Sequence, residues 1–202
     1  MPTLRLYGTV TSPYVRRVRI VAAELGLPLE LVDTATDAGQ AAMRAVNPVW
    51  KVPALQIDDR TILDSRAITE HLMRHHGSGP LRPHDPADME DSNLRLIIDG
   101  VLDALINCFY LGKDGVTPAS SSYVAKQQDR AAHAMHWLES QAGRLWPAGD
   151  SGFGLAEIGL CTTVEWMRFR ETYPVDRHPG LVRVVAQHAD RASVVSTHPT
   201  AG

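Results

Sequence analysis

Residues 47–55 read Asn-Pro-Val-Trp-Lys-Val-Pro-Ala-Leu, and this stretch separates two kinds of pattern in the first third of the chain. The residue before a proline is biased away from the helical conformation, so we expect a short helix over 41–46 to end before the Asn-Pro pair. The second proline can open a strand, which predicts a strand over 53–57. The stretch is therefore interpreted as a loop that leads from a helix into a strand.

The pattern before this loop changes period repeatedly, which is typical of alternating strands and helices. A first strand is expected near residues 4–10 and a second over 29–33, where apolar residues alternate. Between them, Ser12 can cap a helix whose first position is Pro13, and apolar residues recur at helical spacing up to Gly26. These residues predict the order βαβα.

The pattern after the loop predicts an antiparallel pair of strands and then a helix. The strand over 53–57 is followed by another over 61–63, and a helix is expected over 65–76. Residues 78–86 are rich in glycine and proline, which is typical of a linker. We therefore predict an α/β domain of order βαβαββα at residues 1–77.

The strand pattern does not return beyond the predicted linker, and residues 87–202 are expected to form an all-helical domain. Asp85-Pro86 can cap a long helix with an apolar face, and another helix is expected from about Ser122 to Gly143. Two further helices are predicted near 155–167 and 181–188, before a polar tail. The fold class is thus α/β plus a helical bundle.

The composition limits the classes of function that the chain can serve. Its 202 residues are 44% hydrophobic and 21% charged, with a formal net charge of -3, so there is no basic excess for binding a nucleic-acid backbone. No apolar run suits a membrane span and no secretory signal is recognised, so a cytoplasmic protein is expected. Cys108 and Cys161 are interpreted as reduced core thiols. Three of the nine histidines, at 71, 75 and 76, cluster on one predicted helix, but no Cys or matched acid lies at ligand spacing around them, so no metal site is expected.

Four segments of the chain occur in a specific order and spacing. They are residues 11–19 (Thr-Ser-Pro-Tyr-Val-Arg-Arg-Val-Arg), 47–55, 64–68 (Asp-Ser-Arg-Ala-Ile) and 154–158 (Gly-Leu-Ala-Glu-Ile). Together they resemble the bacterial glutathione S-transferases, and the first is similar to serine-type and zeta-like members. The resemblance covers nearly the whole chain. It implies a thioredoxin-like first domain, a homodimer, and glutathione as the substrate whose thiolate attacks a small electrophile.

The resemblance implies that Ser12 is the catalytic residue. Its hydroxyl and the helix N-terminus can stabilise a thiolate over a thiol; the alternative is a plain helix cap. Tyr14 would border the electrophile pocket, or else lie on the exposed side of the helix. Because the turn lacks both thiols of the Cys-Pro-Tyr-Cys sequence of glutaredoxins, dithiol exchange on the chain's own residues is excluded.

Five residues are implied to bind glutathione. Val52-Pro53 is similar to the cis-proline turn that offers the backbone of Val52 to the cysteinyl unit, and Lys51 would pair with the glycine carboxylate. Ser65 and the adjacent helix N-terminus would hold the γ-glutamyl carboxylate while Asp64 meets its ammonium. The alternatives are a trans proline that opens a strand, an isolated exposed lysine and an ordinary helix start.

Other residues have roles that the resemblance leaves open. Asp103 is similar to an aspartate that reaches the partner subunit's ligand in some dimeric members; the alternative is a solvated acid on a helix face. Trp50 stands where many relatives have glycine, and its ring is expected to reshape the glycine end of the site. Arg16, Arg17 and Arg19 are interpreted as charges that attract an anionic electrophile or as a solvated helix face.

The fourth segment resembles a helix capping box. Gly154 removes the side-chain cap, but Glu157 is expected to reach back to the N-terminal backbone.

Three alternatives to a transferase remain open from the sequence. A zeta-like cis/trans isomerase would use the same site, although Tyr14 lies where those relatives usually have a cysteine nearby. A disulfide reductase could use bound glutathione as its only thiol. A non-enzymatic interaction module of the same fold is the third, and the retained polar residues argue against it.

Overall fold

The computed structural model describes residues 3–199, which fall into two compact units. The first unit takes in Met1–His84, Phe153–Ile158 and Ala189–Gly202 as far as these are described, and the second takes in Asp85–Gly152 and Gly159–His188. The boundaries 1–77, 78–86 and 87–202 remain a prediction. The sequence assigns residues 153–158 and 189–202 to the second domain, whereas the structure groups them with the first unit as far as they are described.

A four-stranded sheet forms the centre of the first unit. Its order is β2-β1-β3-β4; β1 and β2 are parallel, and the other two pairs are antiparallel. The strands are β1 (Leu4–Gly8), β2 (Leu29–Asp33), β3 (Ala54–Ile57) and β4 (Arg60–Leu63). The predicted order βαβαββα is confirmed.

Helices cover both faces of this sheet. They are α1 (Pro13–Glu24), α2 (Asp37–Val46) and α3 (Ser65–His76). Met43 of α2 packs with Tyr7 and Ala54 on one face. Leu6 alternates with Tyr7, so it points to the other face, where α1 and α3 pack against each other, and it is fully buried. The core therefore lies on both sides of β1.

Helix α2 begins at Asp37 rather than at the predicted residue 41. Thr36 caps it, because its Oγ1 accepts a hydrogen bond from the N–H of Gly39 at 3.1 Å. A Cβ on Gly39 would lie 1.9 Å from the carbonyl oxygen of Asp33, so only glycine fits between the end of β2 and the first turn of α2.

The second unit is helical, as predicted. It contains α4 (Met89–Lys113), α5 (Ser122–Leu145), most of α6 (Leu155–Arg170), a 3₁₀ turn at Val175–Arg177 and α7 (Pro179–His188). The predicted cap of α4 at Asp85-Pro86 is wrong. Asp88 is the cap, and its carboxylate accepts hydrogen bonds from the N–H groups of Glu90 and Asp91 at 2.9 and 3.0 Å. Within residues 3–199, no helix combines the length and the apolar character needed to cross a membrane.

The segment after α7 is not the polar tail that the sequence predicts. Helix α8 (Ala192–Val195) buries Val194, and the Arg16 guanidinium donates to the carbonyl oxygen of Val194 at 3.0 Å and to Thr197 Oγ1 at 3.3 Å. Arg16 is 1% exposed and Arg17 is 6% exposed. The interpretation of these two arginines as a solvated helix face is therefore wrong.

Candidate active site

Three loops meet at one edge of the sheet in the first unit. The register pairs Tyr7 of β1 with Ala54 of β3, and Ala54 with Leu63 of β4. β1 and β4 end at this edge and β3 begins there, and neighbouring strands lie roughly 4.8 Å apart. The loops are therefore close together, and they carry most of the predicted site residues: Ser12 and Tyr14; Lys51, Val52 and Pro53; and Asp64 and Ser65.

Ser12 is the N-cap of α1. Its Oγ accepts a hydrogen bond from the N–H of Val15 at 3.3 Å, and its own N–H donates to the carbonyl oxygen of Thr9 at 3.2 Å. The capping bond uses a lone pair of the hydroxyl oxygen and leaves the O–H as a donor. The cap interpretation is confirmed, and it is compatible with donation to a ligand at the positive end of α1.

Gly8 allows α1 to begin close to the end of β1. A Cβ on Gly8 would lie 2.2 Å from Cγ2 of Val15, a side chain that is fully buried. Sequence reasoning overlooks Gly8. The signal that could have found it is a glycine at the end of a strand, just ahead of a Ser-Pro helix start.

The first turns of α1 carry positive charge that is partly desolvated. Arg16 and Arg17 are buried, and burial followed by the charge of Arg16 lowers the pKa of Arg19. The Arg17 guanidinium lies 5.1 Å from the ring centroid of Tyr14, which is half-buried. Tyr14 is therefore packed under a cation, and its place in an electrophile pocket stays a prediction.

The Val52–Pro53 peptide bond is cis, which confirms that part of the prediction. Val52 is half-buried, and in the part of the chain that the structure describes neither its N–H nor its C=O has a hydrogen-bond partner. Backbone polar groups that leave water require partners. Val52 can therefore offer one donor and one acceptor to an extended ligand.

Asn47 organises the loop ahead of Val52. It is 1% exposed; its side chain donates to the carbonyl oxygen of Lys51 at 2.5 Å and accepts from the N–H of Val49 at 3.0 Å. The backbone of Lys51 is thereby fixed while its side chain is exposed. The sequence identifies Asn47 only as the residue that ends a helix. An asparagine turn ahead of proline is the signal for this second role.

Trp50 has a left-handed backbone, with φ of 55°. Its ring is 61% exposed, and the Arg44 guanidinium lies 4.6 Å from the ring centroid. Glycine adopts this φ without strain, whereas tryptophan does not. The structure thus gives a physical reason for the glycine that the resemblance implies at this position, and the effect of the ring on the glycine end of the site stays a prediction.

Asp64 and Ser65 form the start of α3. Asp64 Oδ1 accepts from the N–H of Arg66 at 2.8 Å, so the helix-start interpretation is confirmed. Ser65 is 3% exposed, and its hydroxyl has no hydrogen-bond partner among residues 3–199. The first turn therefore combines a carboxylate with a hydroxyl donor at the positive end of a helix.

Asp103 lies apart from this group in the chain. It is exposed on α4 in the second unit, and the side chain of Asn107 donates to its carbonyl oxygen at 2.8 Å. Its role toward a partner subunit's ligand stays a prediction.

The structure bears on the thiols and on metal binding. Cys161 is buried and Cys108 half-buried, both as free thiols, and burial raises the pKa of Cys108. A raised pKa keeps that thiol protonated, so it is not an activated nucleophile. Among the described residues, no three His, Cys, Asp or Glu side chains gather as metal ligands.

Comparison with known proteins identifies the family. Residues 6–80 match the model of the glutathione S-transferase N-terminal domain. Over 183 residues the chain is 32% identical to glutathione S-transferase D7 of Drosophila melanogaster, a match that covers 84% of this chain and 78% of the relative. The chain belongs to the glutathione S-transferase family.

Solved structures place this glutathione S-transferase family member among proteins of the same fold. The glutathione S-transferase of Methylobacterium radiotolerans JCM 2831, crystallised in complex with glutathione sulfonate, is 30% identical with a TM-score of 0.81, and the match covers 99% of this chain and 96% of that one. A maleylacetoacetate isomerase from Methylobacterium extorquens AM1, with malonate and GSH bound, is 21% identical with a TM-score of 0.79, over 98% and 97% of the two chains. This second likeness shows the fold alone.

Proposed function

We propose that the protein is a glutathione transferase that binds glutathione at the sheet edge of the first unit and activates its thiol for attack on a small electrophile. The observation that carries the proposal is that the backbone of Val52 has no hydrogen-bond partner among the described residues, at the same sheet edge as the Ser12 hydroxyl that caps α1 and the start of α3. The glutathione sulfonate in the relative from Methylobacterium radiotolerans supports the choice of ligand.

The proposed contacts follow the length of glutathione. The N–H and C=O of Val52 pair with the cysteinyl unit as a neighbouring strand would. The γ-glutamyl carboxylate receives the hydroxyl of Ser65 and the first N–H groups of α3, and Asp64 meets the ammonium. Lys51, whose backbone Asn47 fixes, pairs with the glycine carboxylate.

Ser12 is the proposed catalytic residue. Its Oγ is held in place by the capping bond from Val15, so its O–H is oriented before the ligand arrives. A hydrogen bond to a charged group contributes about 1.5 to 3 kcal/mol, which lowers the pKa of a bound thiol by about 1 to 2. A larger fraction of the bound glutathione is then thiolate at neutral pH.

The reaction needs few further groups. The thiol proton leaves to solvent, and the sulfur lone pair forms a carbon–sulfur bond with an electrophilic carbon. The leaving group departs with the electron pair of the bond that breaks, or the pair moves within the electrophile in an addition. Positioning of the two substrates supplies the remainder of the rate enhancement. Tyr14 is proposed to line the pocket that binds the electrophile.

We also propose that the protein is a homodimer through the α4–α5 surface. A cavity of about 590 Å³ lies between these helices, and three exposed apolar side chains line it: Met89, Leu96 and Trp137, which are 76%, 57% and 39% exposed. Clustered exposed apolar side chains are typical of protein interfaces. Light scattering of the parent and of Leu96→Glu tests this proposal, because the parent is expected at twice the mass of the variant.

The test of the transferase proposal is the ultraviolet thiolate absorption of bound glutathione against pH. The parent is expected to show thiolate at neutral pH; Ser12→Ala should lose it while glutathione affinity changes little, and Ser65→Ala should weaken affinity with little effect on ionisation. A parent that binds no glutathione at millimolar concentration would contradict the proposal.

A matched control separates the cap from the catalytic role. Ser121 caps α5 with a hydrogen bond from the N–H of Val124 at 3.4 Å, nearly the geometry at Ser12. Ser121→Ala should lose a similar stability, about 1 kcal/mol, and leave the thiolate absorption unchanged.

A further inference from the structure

Two histidine side chains stack on each other in the last two turns of α3. His71 and His75 are four residues apart, so they lie on the same face of the helix. Their ring centroids are 3.9 Å apart at an interplanar angle of 30°. His76 follows directly but lies about 100° further round the helix, and within residues 3–199 its ring contacts no other ring. The fold therefore pairs two of the three clustered histidines.

The backbone determines which nitrogen of His75 can bind a ligand. Nδ1 of His75 lies 2.9 Å from the carbonyl oxygen of His71. A carbonyl oxygen only accepts hydrogen bonds, so Nδ1 carries the proton, and in the neutral ring the lone pair of Nε2 is available. Histidines that bind metals usually donate their other N–H to a carbonyl oxygen or a carboxylate, which holds the ring in position. Nε2 of His75 is therefore oriented as a metal ligand.

His71 can supply a second nitrogen to the same ion. It is half-buried, and neither of its ring nitrogens has a hydrogen-bond partner in the part of the chain that the structure describes. In a neutral imidazole one of the two nitrogens offers a lone pair. Nitrogens that share a metal ion at about 2.0 to 2.1 Å each lie within about 4.2 Å of each other. The two rings, with centroids 3.9 Å apart, are close enough for one ion to bind a nitrogen of each.

From these contacts we infer that His71 and His75 form a surface site for a divalent transition-metal ion, and that Cu²⁺ is the ion bound most tightly. Two ligands are fewer than the three or four of a zinc centre, so water fills the remaining positions. Imidazole suits copper, nickel and zinc, and the affinity of nitrogen sites among these divalent ions is highest for Cu²⁺. Two neighbouring nitrogens and two waters meet its square-planar preference. The site requires no glutathione, so it is tested separately from the proposed transferase activity.

The experiment is a calorimetric titration with the chlorides of Cu²⁺, Ni²⁺ and Zn²⁺ at neutral pH, in a buffer that does not bind metals. The parent is expected to bind Cu²⁺ saturably, and Ni²⁺ and Zn²⁺ more weakly. His75 is exposed, so His75→Gln should fold as the parent does and weaken Cu²⁺ binding by at least about tenfold. The electron paramagnetic resonance spectrum of bound Cu²⁺ should show coupling to two ring nitrogens in the parent and to fewer in the variant.

The third histidine of the cluster provides a matched control. His76→Gln removes an exposed histidine from the same turn and leaves the stacked pair intact, so it should keep the Cu²⁺ affinity of the parent. His71→Gln should weaken Cu²⁺ as much as His75→Gln does, because the chelate needs both rings. Equal affinity in the parent and His75→Gln, or an equal loss in His76→Gln, would show adventitious binding by separate histidines and overturn the proposal. A parent that does not bind Cu²⁺ saturably at micromolar concentration would overturn it as well.

Discussion

Asp64 has an uncommon backbone conformation at the end of β4, with φ of 73° and ψ of 137°. Aspartate is strained in this conformation. Strained backbone conformations persist only where surrounding contacts hold them, and they are concentrated at functional sites. The capping bond to Arg66 is one constraint that holds the residue in this conformation. The proposed contact between this exposed carboxylate and the ammonium of glutathione would give a reason for a strained acid at the position.

We expect Asp64→Asn to separate this charge from the cap. The amide oxygen still accepts from Arg66, so the free energy of unfolding should change by less than about 0.5 kcal/mol, because asparagine and aspartate cap similarly. Glutathione affinity should fall by roughly tenfold, because the ammonium loses its counter-charge. Calorimetric titration and urea unfolding measure the two effects. Asp88→Asn, the same change at the cap of α4, should leave affinity unaltered, and a similar loss there would refute the assignment.

A buried histidine makes the second unit sensitive to pH. His178 is 1% exposed; its Nε2 lies 2.9 Å from the hydroxyl of Tyr173, and its ring centroid lies 5.1 Å from that of His136. Burial, followed by the charge of His136, lowers the pKa of His178 from its ordinary value of 6.5, against a raising effect of Glu139 and a further lowering by Arg177.

The sign of the pH effect follows from this lowered pKa. As pH falls through 6.5, the unfolded chain takes up the proton before the folded one, so the stability that neutral His178 contributes is complete above pH 6.5 and is lost below it. We expect the free energy of unfolding of the parent to fall more than that of His178→Gln between neutral and mildly acidic pH. Urea unfolding at several pH values measures this. His133→Gln, at an exposed position of α5, should follow the parent, and parallel curves for the parent and His178→Gln would disprove the effect.

At the scale of elements, the meeting of α1 with β1 depends on Gly8. Gly8→Ala places a methyl group 2.2 Å from Val15 Cγ2, and the β-branched side chain cannot rotate away in a helix. We expect a loss of about 1 to 3 kcal/mol in the free energy of unfolding. Val15→Ala should also destabilise, but the double variant should be more stable than the sum of the two losses predicts. Additive losses in urea unfolding would show that the contact does not limit this position.

The sequence predicts elements where the signal is local and misses contacts that are distant along the chain. The start of α1 at Ser12-Pro13 follows from cap chemistry alone, and so does the return of Glu157 to the N–H of Gly154, which is observed at 2.7 Å. The burial of Arg16 does not follow, because its acceptors lie more than 170 residues away. The cis bond is predicted only through the family resemblance, since local chemistry favours a trans proline.

At the scale of the whole molecule, the chain's last described segment returns to the first unit. Arg191 forms a bidentate ion pair with Glu24 of α1, in which its Nε and Nη2 donate to the two carboxylate oxygens at 3.0 and 2.9 Å. The hydroxyl of Ser193 donates to the same carboxylate. Together with the bonds from Arg16, these contacts hold both ends of α1. The helix that carries Ser12 is therefore stabilised by residues at the opposite end of the sequence.

A chain that ends at His188 tests this arrangement. It leaves the buried Arg16 guanidinium without two of its acceptors and removes the ion pair between Arg191 and Glu24. Leaving a buried donor unsatisfied costs about 1 to 3 kcal/mol, and more for a charged group. We expect a lower urea midpoint and less thiolate absorption of bound glutathione at neutral pH, because both depend on the position of α1, which Ser12 caps. A chain that ends at Pro199 keeps all of these contacts and should match the parent. If the shorter chain also matched the parent in both measurements, the C-terminal contacts would contribute nothing to the glutathione site, and the position of Ser12 would be set by the sheet edge alone.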